Sequence, residues 1–315
     1  MEESIVVKTQ GLGKKYGVRY AVLNLNVEIR RGQIYGFIGQ NGAGKTTFIR
    51  MLTGLIAPTD GQIELFGESG ERALQKARRR IGSIVETPAL FPSMTARQNL
   101  ETQARLLGLA DNPAVIGEAL ESAGLDHTGA KKVKDFSLGM RQRIALVQAM
   151  LANPEFLVLD EPVNGLDPKG IIENRELLKR LVREKGMTIL ISSHILSELA
   201  LLATDYGIID NGRLIKQIGA EELQRECRQC IRLLTDETEK AVSFLTEHFH
   251  VKDMETAGGG AGKEIRIFEQ LDHIALMNRA LCEADIPVSS ISMEGQDLES
   301  YFIKLTGGQP TGGVA

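Results

Sequence analysis

The sequence predicts an α/β protein with a parallel-sheet core, followed by a small α+β domain. Three observations support this prediction. A short apolar segment, 34–38, runs into a glycine-rich turn that opens a helical segment. Two more apolar runs, 156–159 and 188–192, flank a charged helical segment at 171–184, which is typical of parallel strands joined by a helix. Near the C-terminus a second series of strand-like and helix-like segments begins.

The segments around this core have their own patterns. Residues 5–34 are strand-like, and 20–29 alternate apolar and polar side chains as one half-buried strand would, so we expect an antiparallel β subdomain. Residues 88–152 are mainly helical in pattern and predict an inserted helical subdomain. Asn211 and Gly212 suit the tight turn of a hairpin that closes the large domain.

The C-terminal part predicts the element order βαββαβ, with the second strand at 251–255 and a glycine-rich turn at 258–262. This order is that of a ferredoxin-like domain, a helical layer on one small sheet. We therefore expect a large α/β domain at 1–222, a ferredoxin-like accessory domain at 226–306 and a flexible tail at 307–315.

Composition and charge exclude several classes of protein. The 315 residues are 43% hydrophobic and 25% charged, as in ordinary globular proteins. The net charge is −4, and residues 226–315 alone carry 8 Lys/Arg and 15 Asp/Glu, which argues against nucleic acid as the main partner. No apolar run approaches the roughly 20 residues of a spanning helix, and the acidic N-terminus lacks a secretion signal, so we expect a cytosolic chain.

Residues 39–46, G-Q-N-G-A-G-K-T, match the phosphate-loop pattern G-x-x-x-x-G-K-[ST]. Glycines let successive backbone N–H groups surround phosphate oxygens, and the following helix N-terminus favours negative charge. Lys45 can neutralise the β- and γ-phosphates, and the Thr46 hydroxyl can bind Mg²⁺. We expect ATP at Gly39, Gln40, Asn41, Gly42, Ala43, Gly44, Lys45, Thr46 and Thr47. The alternative, a glycine-rich turn that only caps a helix, is disfavoured by the strand before it and the helix after it.

Asp160 and Glu161 follow the apolar run 156–159, which places them at the carboxyl edge of a parallel sheet, where ligands bind. Asp160 can hold Mg²⁺, and Glu161 can orient and polarise the water that attacks the γ-phosphate. Alone, such a pair would more often cap a helix. The phosphate loop upstream reverses that preference.

Five motifs follow one another between residues 5 and 220. They are the phosphate loop, S-L-G-M-R-Q-R at 137–143, L-D-E-P at 159–162, G-L-D-P at 165–168 and S-S-H at 192–194. In this order they resemble the ATP-binding subunit of an ABC transporter, a far more specific match than any single motif. The resemblance implies an ABC ATPase cassette with an antiparallel β subdomain, a parallel-sheet core and a helical subdomain.

The resemblance also implies a head-to-tail homodimer with two ATP molecules at its interface. Ser137 and Gly139 of one copy would cover the γ-phosphate held by the other. Leu138 and Met140 belong to the same signature segment, and Asp167 would link the two sites across the interface.

Further site residues follow from the same resemblance. His194 would contact the γ-phosphate and, with Glu161, form the catalytic pair. Tyr16 would stack on adenine, although a packing role fits this residue equally well.

Two departures from the family pattern stand out. Glu86 replaces a glutamine that senses Mg²⁺ and the membrane partner, so a full negative charge lies near the metal and the attacking water. Leu138 and Met140 replace a glycine and the glutamine of L-S-G-G-Q, whereas the phosphate-facing Ser137 and Gly139 are retained. We still expect hydrolysis. Both departures resemble the ABC ATPases that export bacitracin and lantibiotics or give immunity to them.

The leading interpretation is a transporter motor that is peripheral on the inner face of the membrane and moves a peptide antibiotic or drug through a separate permease. A soluble ABC ATPase acting on ribosomes or DNA is one alternative, but such proteins generally carry two cassettes or long coiled insertions. A regulator that binds ATP without hydrolysing it is another, and the retained Glu161 and His194 argue against it.

Overall fold

The structure, a computed structural model, describes residues 4–109, 113–257, 263–295 and 298–306. It divides into two compact units, Met1–Ala220 and Glu221–Ala315. The predicted domain limits, at 222 and 226, stay a prediction. The predicted turn at 258–262 and tail at 307–315 lie outside the described residues.

The first unit begins with an antiparallel sheet in the order β2-β1-β5-β6, and β3 also pairs with β1. Its strands are β1 (Ile5–Tyr16), β2 (Arg19–Leu25), β3 (Glu28–Arg30), β5 (Asp60–Leu65) and β6 (Glu68–Ser69). The single strand predicted at 20–29 is wrong. Asn24 has φ +53° and Asn26 Oδ1 accepts a hydrogen bond of 2.8 Å from Gly11 N, so the chain turns between β2 and β3.

A six-stranded sheet in the order β11-β10-β4-β9-β8-β7 forms the core of the first unit. Its strands are β4 (Ile34–Ile38), β7 (Ile81–Ile84), β8 (Phe156–Asp160), β9 (Thr188–Ser193), β10 (Asp205–Asp210) and β11 (Arg213–Gly219). All neighbours pair in parallel except β10 and β11, which form the predicted hairpin. The helices outside the helical subdomain are α1 (Lys45–Thr53), α2 (Glu71–Arg78), α6 (Pro168–Lys185) and α7 (Leu196–Ala200). The carboxyl ends of four adjacent strands, β4, β9, β8 and β7, therefore lie along one edge.

Every residue of the central strand β4 is buried, because the strand is covered on both faces. Tyr35 on this strand is fully buried, and among the described residues its hydroxyl has no hydrogen-bond partner. Burial raises the pKa of Tyr35 well above its ordinary value. The hydroxyl is thus a polar group that the core accommodates at a cost.

An ion-pair network ties the loop before β8 to two other segments. Glu155 accepts from Arg31, after β3, at 2.9 Å and from Arg80, before β7, at 2.6 Å. The hydrogen bonds from Arg80 and Arg31 lower the pKa of Glu155 to about 2. The Arg80 guanidinium also lies over the Phe66 ring, 3.7 Å from its centroid.

The helical subdomain consists of α3 (Ala96–Leu106), α4 (Pro113–Ser122) and α5 (Leu138–Met150). α3 begins with a capping box in which Thr95 and Gln98 satisfy each other's backbone N–H groups. Buried apolar side chains from all three helices, such as Leu100, Leu120 and Ile144, form its own small core. A separate core lets this subdomain hold α5 as a rigid element.

The second unit contains a four-stranded sheet in the order β13-β14-β12-β15, all antiparallel. Its elements are α8 (Ala220–Cys227), β12 (Cys230–Thr235), α9 (Thr238–Phe249), β13 (Met254–Ala257), β14 (Lys263–Ile267), α10 (Ile274–Glu283), β15 (Ser290–Glu294) and α11 (Leu298–Leu305). The sequence did not predict α8 or α11. The strand predicted from Val251 starts only at Met254, since Val251 is a fully buried residue that follows the left-handed cap of α9 at His250.

Candidate functional site

Four adjacent strand ends bring the predicted site residues together. β4 runs into the phosphate loop, β9 ends next to His194, β8 ends at Asp160 and Glu161, and β7 leads to Glu86. Ile84 pairs with Leu159, and Asp160 pairs with Ser192, so these ends are in register. The parallel sheet thus concentrates acidic, basic and hydroxyl side chains at its carboxyl edge.

The phosphate loop needs glycine at two positions. Gly44 has φ +110°, and a Cβ there would lie 2.5 Å from the Ala21 carbonyl oxygen. A Cβ at Gly39 would lie 2.6 Å from the Ile209 carbonyl oxygen. The loop lines a cavity of about 350 Å³ with Ala21, Gln40, Asn41, Gly42, Gly44, Lys45, Thr46, Thr47, Glu161, Asn164 and His194. Its shape is therefore fixed by backbone contacts that a larger residue would disrupt.

Glu161 lies between two cationic or ionisable partners. Its Oε1 is 3.3 Å from Lys45 Nζ, and its Oε2 is 2.8 Å from His194 Nδ1. The Lys45 side chain is 6% exposed and that of Glu161 is 21% exposed, so their interaction is weakly screened by solvent. Lys45 also donates to the Gly39 carbonyl oxygen at 2.7 Å. The Glu161 carboxylate thus contacts both Lys45 and His194, the two side chains that are predicted to bind the γ-phosphate.

Ser192 holds both acidic residues at the end of β8. Its hydroxyl donates to Asp160 Oδ1 at 2.5 Å and accepts from the Glu161 backbone N–H at 3.0 Å. Asp160 is 3% exposed and Ser192 is fully buried. Glu161 itself has φ +51°, an uncommon conformation for a residue with a side chain. The buried hydroxyl therefore supports a strained turn that aims the two carboxylates.

Glu86 is also in the left-handed region, with φ +60°. Its Oε1 lies 2.6 Å from Arg50 Nη2, on the helix that follows the phosphate loop. The hydrogen bond to Glu86 raises the pKa of Arg50, with smaller effects from the charges of Glu86, Tyr16 and Asp160.

The signature residues lie at a separate cavity. Ser137 caps α5 by accepting from Met140 N at 3.3 Å, and Asp167 caps α6 by accepting from Gly170 N at 3.0 Å. Together with Leu138 and Gly139 they line a cavity of about 460 Å³ that shares no lining residue with the phosphate-loop cavity. Within one copy, the two sets of predicted ligands therefore line different cavities.

Tyr16 lies at the end of β1 and is 48% exposed, and the Lys14 ammonium is 5.5 Å from the centroid of its ring. Such exposure argues against burial in the core and leaves the ring accessible to a stacking partner.

Similarity to known proteins decides the family. The family described as ABC transporter matches residues 22–164. The bacitracin transport ATP-binding protein BcrA of Bacillus licheniformis is 45% identical over 309 residues, which are 98% of this chain and 100% of BcrA. This chain belongs to the ABC transporter ATP-binding proteins.

Two further similarities extend the comparison. The lantibiotic transport ATP-binding protein SrtF of Streptococcus pyogenes is 41% identical over 222 residues, 70% of this chain and 94% of SrtF. A solved dimeric cassette, MJ0796 in a post-hydrolysis state bound to ADP and Pi, matches with a TM-score of 0.62 and 26% identity, over 68% of this chain and 98% of that one. The predicted ABC ATPase cassette fold and the prediction of a transport ATPase are confirmed.

This ABC protein thus binds ATP and couples its hydrolysis to transport. Among its described residues, none of the helices has both the length and the apolar character needed to cross a membrane. The roles of individual site residues stay predictions. Sequence reasoning did not assign roles to Arg50, Ser192 or Asn164. Ser192 is the first residue of the S-S-H motif at 192–194. The pairing of Arg50 with Glu86 is not indicated by any pattern in the sequence.

Proposed function

We propose that this ABC ATPase is the motor of a transporter that exports a peptide antibiotic, or gives immunity to it, through a separate membrane permease. The similarity to the bacitracin transport protein covers nearly the whole chain, including the second unit. The similarity to the lantibiotic transport protein is shorter. In this role the protein is cytoplasmic and held at the inner face of the membrane by the permease.

The separation of the two cavities supports a head-to-tail homodimer more than any other observation. Ser137 at the positive N-terminus of α5 is well placed to bind an anion, yet it shares no cavity with Lys45 of its own copy. A second copy can supply that N-terminus to the phosphate loop. Asp167, which lines the same cavity as Ser137, would then lie at the interface beside the partner's site.

The oxygen donors at the loop suit Mg²⁺. The Thr46 hydroxyl and the Asp160 carboxylate are hard ligands of the kind Mg²⁺ prefers, and Glu86 adds a third oxygen donor at the same edge. Bound there with ATP, Mg²⁺ would neutralise charge on the β- and γ-phosphates. Residues Gly39–Thr47 would hold the phosphates by their N–H groups, and the exposed ring of Tyr16 would stack on adenine.

Glu161 supplies the proposed chemistry. In the structure its carboxylate contacts Lys45 and His194. When ATP binds, the γ-phosphate replaces the carboxylate at both side chains, and Glu161 is freed to polarise the attacking water. Without ATP, the Glu161 carboxylate is thus paired with Lys45 and hydrogen-bonded to His194. The retained base argues against a regulator that does not hydrolyse ATP.

We further propose that the second unit is a ferredoxin-like accessory domain. Its order βαββαβ and its antiparallel sheet β13-β14-β12-β15 support this assignment. We propose that it helps the motor to dimerise or regulates it. A chain truncated after Gly219 tests the idea, since full ATP-driven dimerisation and turnover without this unit would contradict it.

The substrate class is tested in the host strain. Deletion of the coding region is expected to make cells several-fold more sensitive to bacitracin or a lantibiotic, and the wild-type chain is expected to restore growth while Lys45→Ala does not. Unchanged sensitivity to both antibiotics would refute the proposed substrate class. The ATPase rate of the purified chain separates that outcome from a failure of the motor itself.

A further inference from the structure

The contact between Arg50 and Glu86 joins two parts of the nucleotide site. Arg50 lies on α1, five residues after Lys45, and its Nη2 is 2.6 Å from Glu86 Oε1. We propose that Arg50 is a positioning residue that competes with Mg²⁺ for the Glu86 carboxylate, so that it sets how much Mg²⁺ the site needs. This inference rests on the proposed function, in which Glu86 faces the metal.

Arg50 and Glu86 lie on two different segments, each connected to a residue that is proposed to bind Mg²⁺. α1 carries the phosphate loop at its N-terminus, so Arg50 is fixed relative to Lys45 and Thr46. Glu86 follows β7, whose Ile84 pairs with Leu159 next to Asp160. The charge of Asp160 also acts on Arg50, which places the guanidinium within electrostatic range of the acidic cluster. One cation therefore acts on two carboxylates that are candidates for the metal.

The ion pair between Arg50 and Glu86 is one that another cation can displace. The side chain of Arg50 is 36% exposed and that of Glu86 is 55% exposed. Ion pairs with this exposure contribute little to stability, because water and salt screen them. A divalent cation carries twice the charge of a guanidinium and binds carboxylate oxygens directly, so it can displace Arg50. Glu86 lies two residues after the end of β7, and its backbone is in the left-handed region, with φ +60°. The position of its carboxylate is therefore constrained by the sheet.

A purely structural role is the competing explanation. In that case the pair only ties α1 to the segment after β7, and its loss lowers stability without changing the response to Mg²⁺. The two explanations differ in one measurable quantity, the Mg²⁺ concentration that gives half-maximal nucleotide binding.

The experiment titrates Mg²⁺ into the full-length chain with a fluorescent ATP analogue, MANT-ATP, and follows binding rather than turnover. Arg50→Met is expected to lower the half-saturating Mg²⁺ concentration by about two- to fivefold, as the loss of one exposed competitor would. Arg50→Lys is expected to stay close to wild type. Glu86→Gln is expected to raise the required Mg²⁺, and Arg50→Met in that background is expected to produce less than half of its original shift.

Arg97→Met is the matched control, because Arg97 is an exposed arginine on α3 within the helical subdomain. It removes the same charge and is expected to leave the Mg²⁺ response unchanged. Thermal melts establish that each variant is folded, and Arg50→Gln, which removes the same charge, takes the place of Arg50→Met if that variant unfolds.

Two results would overturn the inference: an Arg50→Met protein with the Mg²⁺ response of wild type, or a shift that is undiminished in the Glu86→Gln background. Failure of the proposed function looks different. A wild-type chain whose MANT-ATP binding ignores Mg²⁺ would refute the metal-dependent site itself.

Discussion

Replacement of Glu161 by glutamine perturbs the site at its most connected side chain. The carboxylate contacts Lys45 at 3.3 Å and His194 at 2.8 Å, and in the proposed mechanism ATP displaces it from both. A hydrogen bond to a charged group, such as that between the Glu161 carboxylate and His194, contributes about 1.5–3 kcal/mol, and the 6% exposure of Lys45 leaves its ion pair with Glu161 little weakened by solvent. A neutral amide competes far less, so we expect Glu161→Gln to bind ATP roughly ten- to a hundredfold more tightly.

The same substitution removes the proposed base, so we expect turnover to fall by about 10²- to 10⁴-fold. Calorimetric ATP binding and phosphate release measured on one preparation give both numbers. Glu155→Gln is the matched control, because it removes a carboxylate of the same unit outside the site and is expected to leave both values unchanged. Unchanged turnover in Glu161→Gln, or weaker ATP binding, would refute the reasoning.

Three further substitutions test the packing that supports the site. Glu155→Gln should lower the free energy of unfolding by about 1 kcal/mol at neutral pH, a value reduced for solvent screening. Because the folded pKa of Glu155 is about 2 and its ordinary value is 4.5, denaturant melts should find this difference intact above pH 4.5 and lost as the pH falls towards 2. Tyr35→Phe should keep or raise the melting temperature, since it removes a buried hydroxyl that has no hydrogen-bond partner among the residues the structure describes; a large loss of stability would contradict this. Ser192→Ala should cost about 1–3 kcal/mol of stability and raise the Mg²⁺ needed for ATP hydrolysis, because Asp160 is no longer held in position for the metal; wild-type values for both would contradict the support that we assign to Ser192.

Much of the core was predictable because two physical patterns are local in sequence. A fully apolar run followed by polar residues marks a buried parallel strand and its carboxyl edge, and β4 was predicted with its observed limits. The phosphate loop is likewise one continuous segment. From the sequence alone, these patterns place Lys45, Asp160 and Glu161 at one edge of the sheet.

Elements that depend on backbone detail were predicted less well. The alternation at 20–29 continues past Asn24, yet its left-handed backbone and the Asn26 side chain end β2 there. Val251 has the composition of a strand residue but is buried as the apolar residue that follows a helix cap. Periodicity alone does not report such local hydrogen bonding.

Partners within the site were the least predictable feature. Arg50 and Glu86 are 36 positions apart, and Ser192 and Asp160 are 32 apart, so only the sheet register and the side-chain rotamers bring them together. The contact of Glu161 with Lys45 is equally unpredictable from the sequence. The motifs predict which residues bind ATP, but they do not predict which of these residues contact each other.

The central claim is that the phosphate loop of one copy is completed by Ser137 of a second copy. The most direct test is the mass, by light scattering, of Glu161→Gln with saturating ATP. We predict twice the chain mass of 34.5 kDa, and a return to 34.5 kDa when Ser137→Arg is added, with ATP still bound. A Glu161→Gln protein that stays at 34.5 kDa in ATP, or a dimer that Ser137→Arg leaves intact, would contradict the claim.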